Sequence, residues 1–229
     1  MPTDSLAWAA GTTVLIADDH PIYREAIRSR VMAVIPGAEC SEAASLEALV
    51  ALVEAGHDFD LILLDLNMPG ASGLSGLVHV RHLLPSTSIL VISATEDPEV
   101  IQRALALGAA GFLPKTAGSE QIALALHTVL RGDRYRPPPA MIWDYAPRLA
   151  EAERHAAELI SRLTPQQFRI CALIARGLLN KQIAWELGIT EATVKVHMST
   201  ILKKLGLKNR TQVALIMQTL DDGVSRPGP

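Results

Sequence analysis

Between Thr13 and Leu130 short strand-length segments alternate with amphipathic stretches of helical spacing, five pairs in succession, and few folds accept that rhythm. The strand candidates are Val14–Ala17, Glu39–Ala43, Leu61–Leu64, Ser88–Ile92 and Gly111–Leu113. The helix candidates between and after them are Pro21–Val34, Leu46–Ala55, Gly73–Leu84, Pro98–Leu107 and Ser119–Leu130. Strands that are continuously apolar need cover on both faces, and helical crossovers supply it. The alternation therefore predicts an α/β domain with a doubly wound parallel sheet over residues 12–131.

The pattern breaks across Arg131–Ser161, where Pro137, Pro138 and Pro139 remove backbone donors and favour extended chain. Residues 132–160 read as an interdomain linker, proline-rich first, with Ala146–Leu163 expected as an exposed linker helix. A second domain, residues 161–222, is all helical. Thr164, Pro165 and Gln167 have capping-box spacing, and Gly177, Gly188 and Gly206 mark successive helix ends. Asn180 opens a second helix and Thr190 caps a third. The turn Leu187-Gly188-Ile189-Thr190 between them is a helix-turn-helix signature, and a fourth helix follows over Arg210–Leu220.

Charge separates the two halves. The whole chain carries −3, but residues 11–130 hold 14 acidic and 6 basic side chains, a balance of −8. Residues 161–220 hold 2 acidic and 9 basic ones, a balance of +7. A basic module tethered to an acidic one suits DNA binding joined to cation binding or regulation.

In a doubly wound sheet the carboxyl ends of the strands open on one crevice. Asp18 and Asp19 follow the first strand there and Asp65 ends the third. Clustered carboxylates stay ionised together only with a counterion, and a hard divalent cation, Mg²⁺, fits oxygen ligands. Asp19 and Asp65 are assigned as direct ligands, Asp18 as a ligand through water or as support, and the Asn67 backbone carbonyl as a further donor. Ser93 and Lys115, after the fourth and fifth strands, bring a hydroxyl and a cation to the same edge. Such a set allows the Asp65 carboxylate to attack a phosphoryl group, with Mg²⁺ and Lys115 offsetting charge on its oxygens. A lone strand-end aspartate would more simply cap a turn; the whole set favours chemistry.

The strings Leu15-Ile16-Ala17-Asp18-Asp19-His20-Pro21, Leu64-Asp65-Leu66-Asn67-Met68-Pro69-Gly70 with Gly73, Ile92-Ser93-Ala94 and Phe112-Leu113-Pro114-Lys115 resemble the receiver family over Val14–Leu130. That resemblance implies a flavodoxin-like five-stranded sheet of order 2-1-3-4-5. It implies Asp65 as the acceptor of phosphate from a sensor histidine kinase, Asp18 and Asp19 as Mg²⁺ holders, and Ser93 and Lys115 as phosphate contacts. Phe112 falls on the family's switch aromatic, either packing inward when Ser93 moves or standing as static core.

In a helix-turn-helix the second helix enters the major groove. Here Val194, Ile201, Leu202 and Leu205 form the inward stripe of Glu191–Leu205, leaving Thr193, Lys195, Val196, His197 and Ser199 toward DNA. Asn180, Lys181, Lys203, Lys204, Lys208 and Arg210 supply a basic surround. Leu163–Met217 resembles the LuxR-type output domain of the NarL/FixJ family, through Leu163-Thr164-Pro165, Gly177 to Ala184, Thr193-Val194-Lys195-Val196-His197 and Ile201 to Gly206. The resemblance implies DNA contacts by Lys195 and Val196 and dimerisation through the last helix at Val213 and Met217. Gln167 stands where the family usually has glutamate, and Ser199 where some relatives are basic.

The leading reading is phosphorylation-dependent control of transcription by a protein that is not a conventional enzyme. Its partners are a histidine kinase, double-stranded DNA, a second copy of the chain when phosphorylated or DNA-bound, and RNA polymerase as a further one. Two alternatives are a DNA regulator that has stopped using phosphate and a Mg²⁺-dependent phosphotransfer enzyme. Two isolated cysteines, Cys40 and Cys171, read as buried thiols in a reducing compartment. Met1–Gly11 lacks the basic start and apolar core of a signal peptide, and no apolar run is long enough to span a bilayer, so a cytoplasmic location without membrane insertion is expected.

Overall fold

The computed structural model describes residues 11–70, 73–138 and 149–224. Most of the N-terminal leader, Pro139 and the start of the expected linker helix lie outside them. The first domain runs β1 (Thr13–Ala17), α1 (Pro21–Val34), β2 (Glu39–Ala43), α2 (Leu46–Glu54), β3 (Leu61–Asp65), α3 (Leu74–Leu83), β4 (Ser88–Ser93), α4 (Pro98–Ala106), β5 (Gly111–Pro114) and α5 (Ser119–Leu130). The five strands are all parallel, as the sequence alternation predicts, and in the order β2-β1-β3-β4-β5 that the receiver resemblance implies.

Alternation along each strand sorts side chains onto the two faces. Val14, Ile16, Leu61, Leu63, Leu90, Ile92 and Leu113 pack with Ile27 and Val31 of α1 and Ala125, Leu126 and Val129 of α5. Leu15, Ala17, Ile62, Leu64, Ile89, Val91 and Phe112 pack with α2, α3 and α4 on the other side. Pro114 is in the trans form, since the described residues contain no cis peptide bond.

The second face's core continues without a break into the C-terminal helices α6 (Glu151–Ser161), α7 (Pro165–Ala175), α8 (Asn180–Glu186), α9 (Glu191–Leu205) and α10 (Arg210–Asp221). The helix expected as an exposed linker is therefore corrected. α6 packs against α3 and α10 and buries Ala156, Leu159 and Ile160. Together with buried Leu163 these residues recur at i, i+3, i+4 and i+7, an apolar stripe that needs a partner. The punctuation reads as expected: Thr164 Oγ accepts from Gln167 N at 3.4 Å, and Gln167 Oε1 accepts from Thr164 N at 3.1 Å. The Gly206 backbone at φ +68° ends α9 in a left-handed conformation that costs glycine little.

The docked domains exchange helix caps. The N-cap position of α3 is Gly73, which has no side chain to offer. Asp221 of α10 takes its place, accepting from Ser75 N at 3.0 Å and Ser75 Oγ at 3.1 Å. In return Arg103 of α4 donates to the carbonyls of Thr219, Leu220 and Asp222 at 3.1, 3.0 and 2.7 Å, closing the C-terminal end of α10. Each charge has the sign that the facing helix dipole favours. Arg103 also pairs with Glu153 of α6, and His79 stacks on Phe168 of α7 with ring centroids 4.2 Å apart.

Candidate functional site

The strand register builds the acidic crevice. Ala17 is level with Leu64, so Asp18, one residue on, stands beside Asp65 at the end of β3. Ser93 ends β4 and Lys115 follows β5, with Lys115 N donating to the Ser93 carbonyl at 2.7 Å. Lys115 Nζ lies 2.6 Å from Asp18 Oδ2 and 2.8 Å from Asp65 Oδ2, joining the two buried carboxylates. Asn67 N donates to Asp65 Oδ1 at 3.2 Å. Ser93 is fully buried, and its Oγ accepts from Thr95 N at 3.3 Å.

Electrostatics follow from this packing. Burial pushes the Asp65 carboxyl up from its ordinary value, against the opposing pull of Lys115 and the Asn67 N–H. Burial draws the Lys115 ammonium down, but hydrogen bonds and charge from Asp18 and Asp65 outweigh it and raise it overall. Ligand oxygens of Asp18, Asp19 and Asp65, with a ring nitrogen of His20, lie within 4.8 Å of one another, so this cluster can coordinate a divalent metal. The carboxylate oxygens in that set suit a hard cation.

Three neighbours were not singled out from sequence. His20 Nδ1 lies 2.7 Å from Asp19 Oδ1 and 3.1 Å from Asp18 Oδ1, and its backbone N donates to Asp18 Oδ1. Arg24 donates to the Asp18 carbonyl at 2.7 Å, and the Tyr23 ring lies under Lys115. All three follow Asp19 closely, so the turn of α1 into the crevice was the available signal. Phe112, by contrast, is completely buried among the α2–α4 side chains, an inward position already taken up in this structure.

In the second domain α8 and α9 form the helix-turn-helix, and α9 buries Val194, Ile201 and Leu205 as its stripe requires. Lys195, Val196, Ser199 and Lys203 are exposed, as is Lys181, while Thr193, His197 and Asn180 are half-buried. Thr193 is partly committed to the helix start, since its N–H and hydroxyl both meet Thr190 Oγ. Lys195 pairs with Glu191 one turn earlier. Of the basic surround, Lys204 is exposed and reaches Gln167, and half-buried Arg210 donates to the Leu178 carbonyl.

Both halves match known families. Residues 14–127 match the response regulator receiver domain, and residues 161–217 match the bacterial regulatory proteins of the luxR family. A glycerol metabolism activator from Pseudomonas putida is 39% identical over 211 residues, covering 91% of this chain and 96% of that protein. The nitrate/nitrite response regulator NarL of Escherichia coli is 38% identical over 206 residues, covering 89% and 93%. The chain is a response regulator of the NarL/FixJ family. A solved structure of two RcsB dimers bound to two parallel DNAs is similar at 25% identity and a TM-score of 0.52, covering 92% of this chain and 99% of that one.

NarL/FixJ proteins are DNA-binding regulators rather than enzymes, and two features of this member refine the expectation. Val213 and Met217, expected at a dimer face, are each 1% exposed in the docked arrangement, within the core cluster that joins the two domains. The large apolar side chain that α10 turns outward is Leu215, 56% exposed. The burial of Val213 and Met217 is that of the docked arrangement, in which α10 packs against α7, α6 and the receiver's α3. The outer face of α9 is open in the docked arrangement, with Val196 66% exposed. None of the described helices is long and apolar enough to cross a membrane.

Proposed function

We propose that this regulator controls transcription through phosphorylation of Asp65 by a sensor histidine kinase in the cytoplasm. The observation that carries the reading is the buried network in which Lys115 bridges Asp18 and Asp65 at the sheet edge. An Asp65 carboxylate oxygen forms a bond to phosphorus as the bond from phosphorus to the donor's imidazole nitrogen breaks. The electron pair leaves on that nitrogen. Lys115 then turns one of its three donors to a phosphoryl oxygen, and Ser93 Oγ, held at the neighbouring strand end, donates to another. Asp18, Asp19 and Asp65, with the Asn67 carbonyl, would hold Mg²⁺, which supplies positive charge to the phosphoryl oxygens.

Coupling to DNA runs through α4. This helix follows Ser93 by a short loop, and its Arg103 grips the last turn of α10. A shift of α4 when Ser93 engages phosphate loosens that grip and frees the output domain to pair with a second copy. The exposed reading face of α9 supports constraint of the output domain's orientation over masking. A homodimer would place two reading helices on half-sites about one helical turn apart. Lys195, Val196, His197 and Ser199 would meet bases or nearby phosphates, with Thr193, Asn180, Lys181 and Lys203 fixing the register.

The test is intact mass of the full chain after incubation with acetyl phosphate and Mg²⁺, followed by chemical mapping of the acyl phosphate. One stable label on Asp65 is expected, absent from Asp65→Asn. Equal labelling of that variant would refute the acceptor assignment, and continuous donor turnover would favour a phosphotransfer enzyme.

A further inference from the structure

Lys115 is the cation of the crevice, and a lysine ammonium is a compact charge on a flexible stem that tolerates many positions. Its two carboxylate contacts, at 2.6 and 2.8 Å, fix it in the resting state. A phosphoryl oxygen on Asp65 would compete with them for the same ammonium. A third contact involves neither carboxylate. Lys115 Nζ lies 4.9 Å from the centroid of the Tyr23 ring, on the first turn of α1, inside the range at which a ring face attracts a cation.

We propose that Tyr23 is a positioning residue for Lys115: its ring face holds the ammonium at the level of Asp65 while its hydrogen bonds pass from carboxylate to phosphoryl oxygen. The inference rests on Asp65 being the phosphoacceptor. The contact survives the exchange because it occupies the face of the ring and none of the carboxylate lone pairs. The ring also narrows solvent access to the ammonium, whose side chain is only 16% exposed. Tyr23 packs beside the Val14 and Ile16 face of the core. Any large apolar side chain would do that much, but only an aromatic one presents a ring face to the ammonium. The hydroxyl stays neutral, since burial and then the charges of Asp18 and Asp65 push it up to about 12.

The experiment is the rate of phosphoryl incorporation from acetyl phosphate in the presence of Mg²⁺, by intact mass, for the parent, Tyr23→Leu, Tyr23→Phe and Asp65→Asn. Tyr23→Leu should slow incorporation at saturating donor roughly threefold to tenfold, the range a partly desolvated cation–ring contact allows, with the donor concentration for half-maximal rate unchanged. Tyr23→Phe should label at the parent rate. Tyr23→Met, which lacks a ring, repeats the test if leucine lowers the melting temperature. Parent-like rates in Tyr23→Leu and Tyr23→Met would overturn the proposal, and so would an equal loss in Tyr23→Phe. Labelling that persists in Asp65→Asn would instead refute the acceptor reading, and this inference with it.

Discussion

Asp221 of the output domain caps a helix of the receiver through Ser75, accepting both its backbone N–H and its hydroxyl. Arg103 answers from the receiver by closing the end of the same helix that carries Asp221. Removing one member of a buried charged set leaves the other groups without partners, at about 3–5 kcal/mol. Arg103→Ala should therefore undock the domains while each keeps its fold. Small-angle scattering should show a larger radius of gyration with unchanged helical circular dichroism; an unchanged radius would contradict the clasp.

The same interface should titrate in two opposing directions. Burial pushes the Asp221 carboxyl up to about 7, ahead of the lowering by Ser75 and Arg103, so the docked state favours its proton. Stability from this group is present below the ordinary carboxylate range and is lost as pH rises toward 7. Burial, then the charge of His82, draws His79 down to about 4, so the docked state excludes that proton. Its contribution is present above pH 6.5 and is lost as pH falls toward 4.

Between those limits the two effects oppose each other, and single variants separate them. Measured as the difference in urea midpoint from the parent, Asp221→Asn should gain as pH rises from 4 to 7. His79→Leu should gain as pH falls from 6.5 to 4. Each slope is at most about 1.4 kcal/mol per pH unit. Differences that do not vary with pH would refute the assignment.

The receiver fold and its crevice were legible because the signals are local. Asp18, Asp65, Ser93 and Lys115 each follow an apolar strand, and parallel register does the rest. The output helices announced their ends through Thr164, Thr190 and Gly206. The docking of the domains was not legible, because its determinants are solitary polar residues far apart in sequence, such as Ser75 with Asp221. The stripe of α6 was present in the sequence, but the alanines and charges around Leu159 and Ile160 read as a solvated helix. The burial of Val213 and Met217 in the docked arrangement was not legible either, because spacing shows which residues share a face, and the partner of that face is set by tertiary packing.

Lys195→Ala should weaken DNA binding. If Lys195 meets a base, the loss falls on the preferred site at roughly 1–3 kcal/mol; if it meets phosphate, all sequences lose alike and the salt slope drops by about one. Fluorescence anisotropy across a salt series separates the two, and equal affinity and slope would exclude both roles.

Met217 and Leu215 should respond differently despite being two residues apart. Met217→Ala should cost about 2–5 kcal/mol of stability, as for any fully buried methionine. Leu215→Asp should leave the unfolding midpoint nearly unchanged and reduce dimer formation on DNA. Denaturation and light scattering on both variants provide the check, and a reversed pattern would place Met217 rather than Leu215 at the dimer face.

The central claim is that phosphate on Asp65 governs the output domain across the α4–α10 contact. Its most direct measurement is titration of the cognate DNA with full-length protein whose phosphorylation has been verified, beside the unphosphorylated protein and Arg103→Ala. Phosphorylated protein should bind paired half-sites more tightly and more cooperatively than resting protein, and Arg103→Ala should approach the phosphorylated curve without phosphate. Identical curves for verified phosphorylated and resting protein would contradict the account.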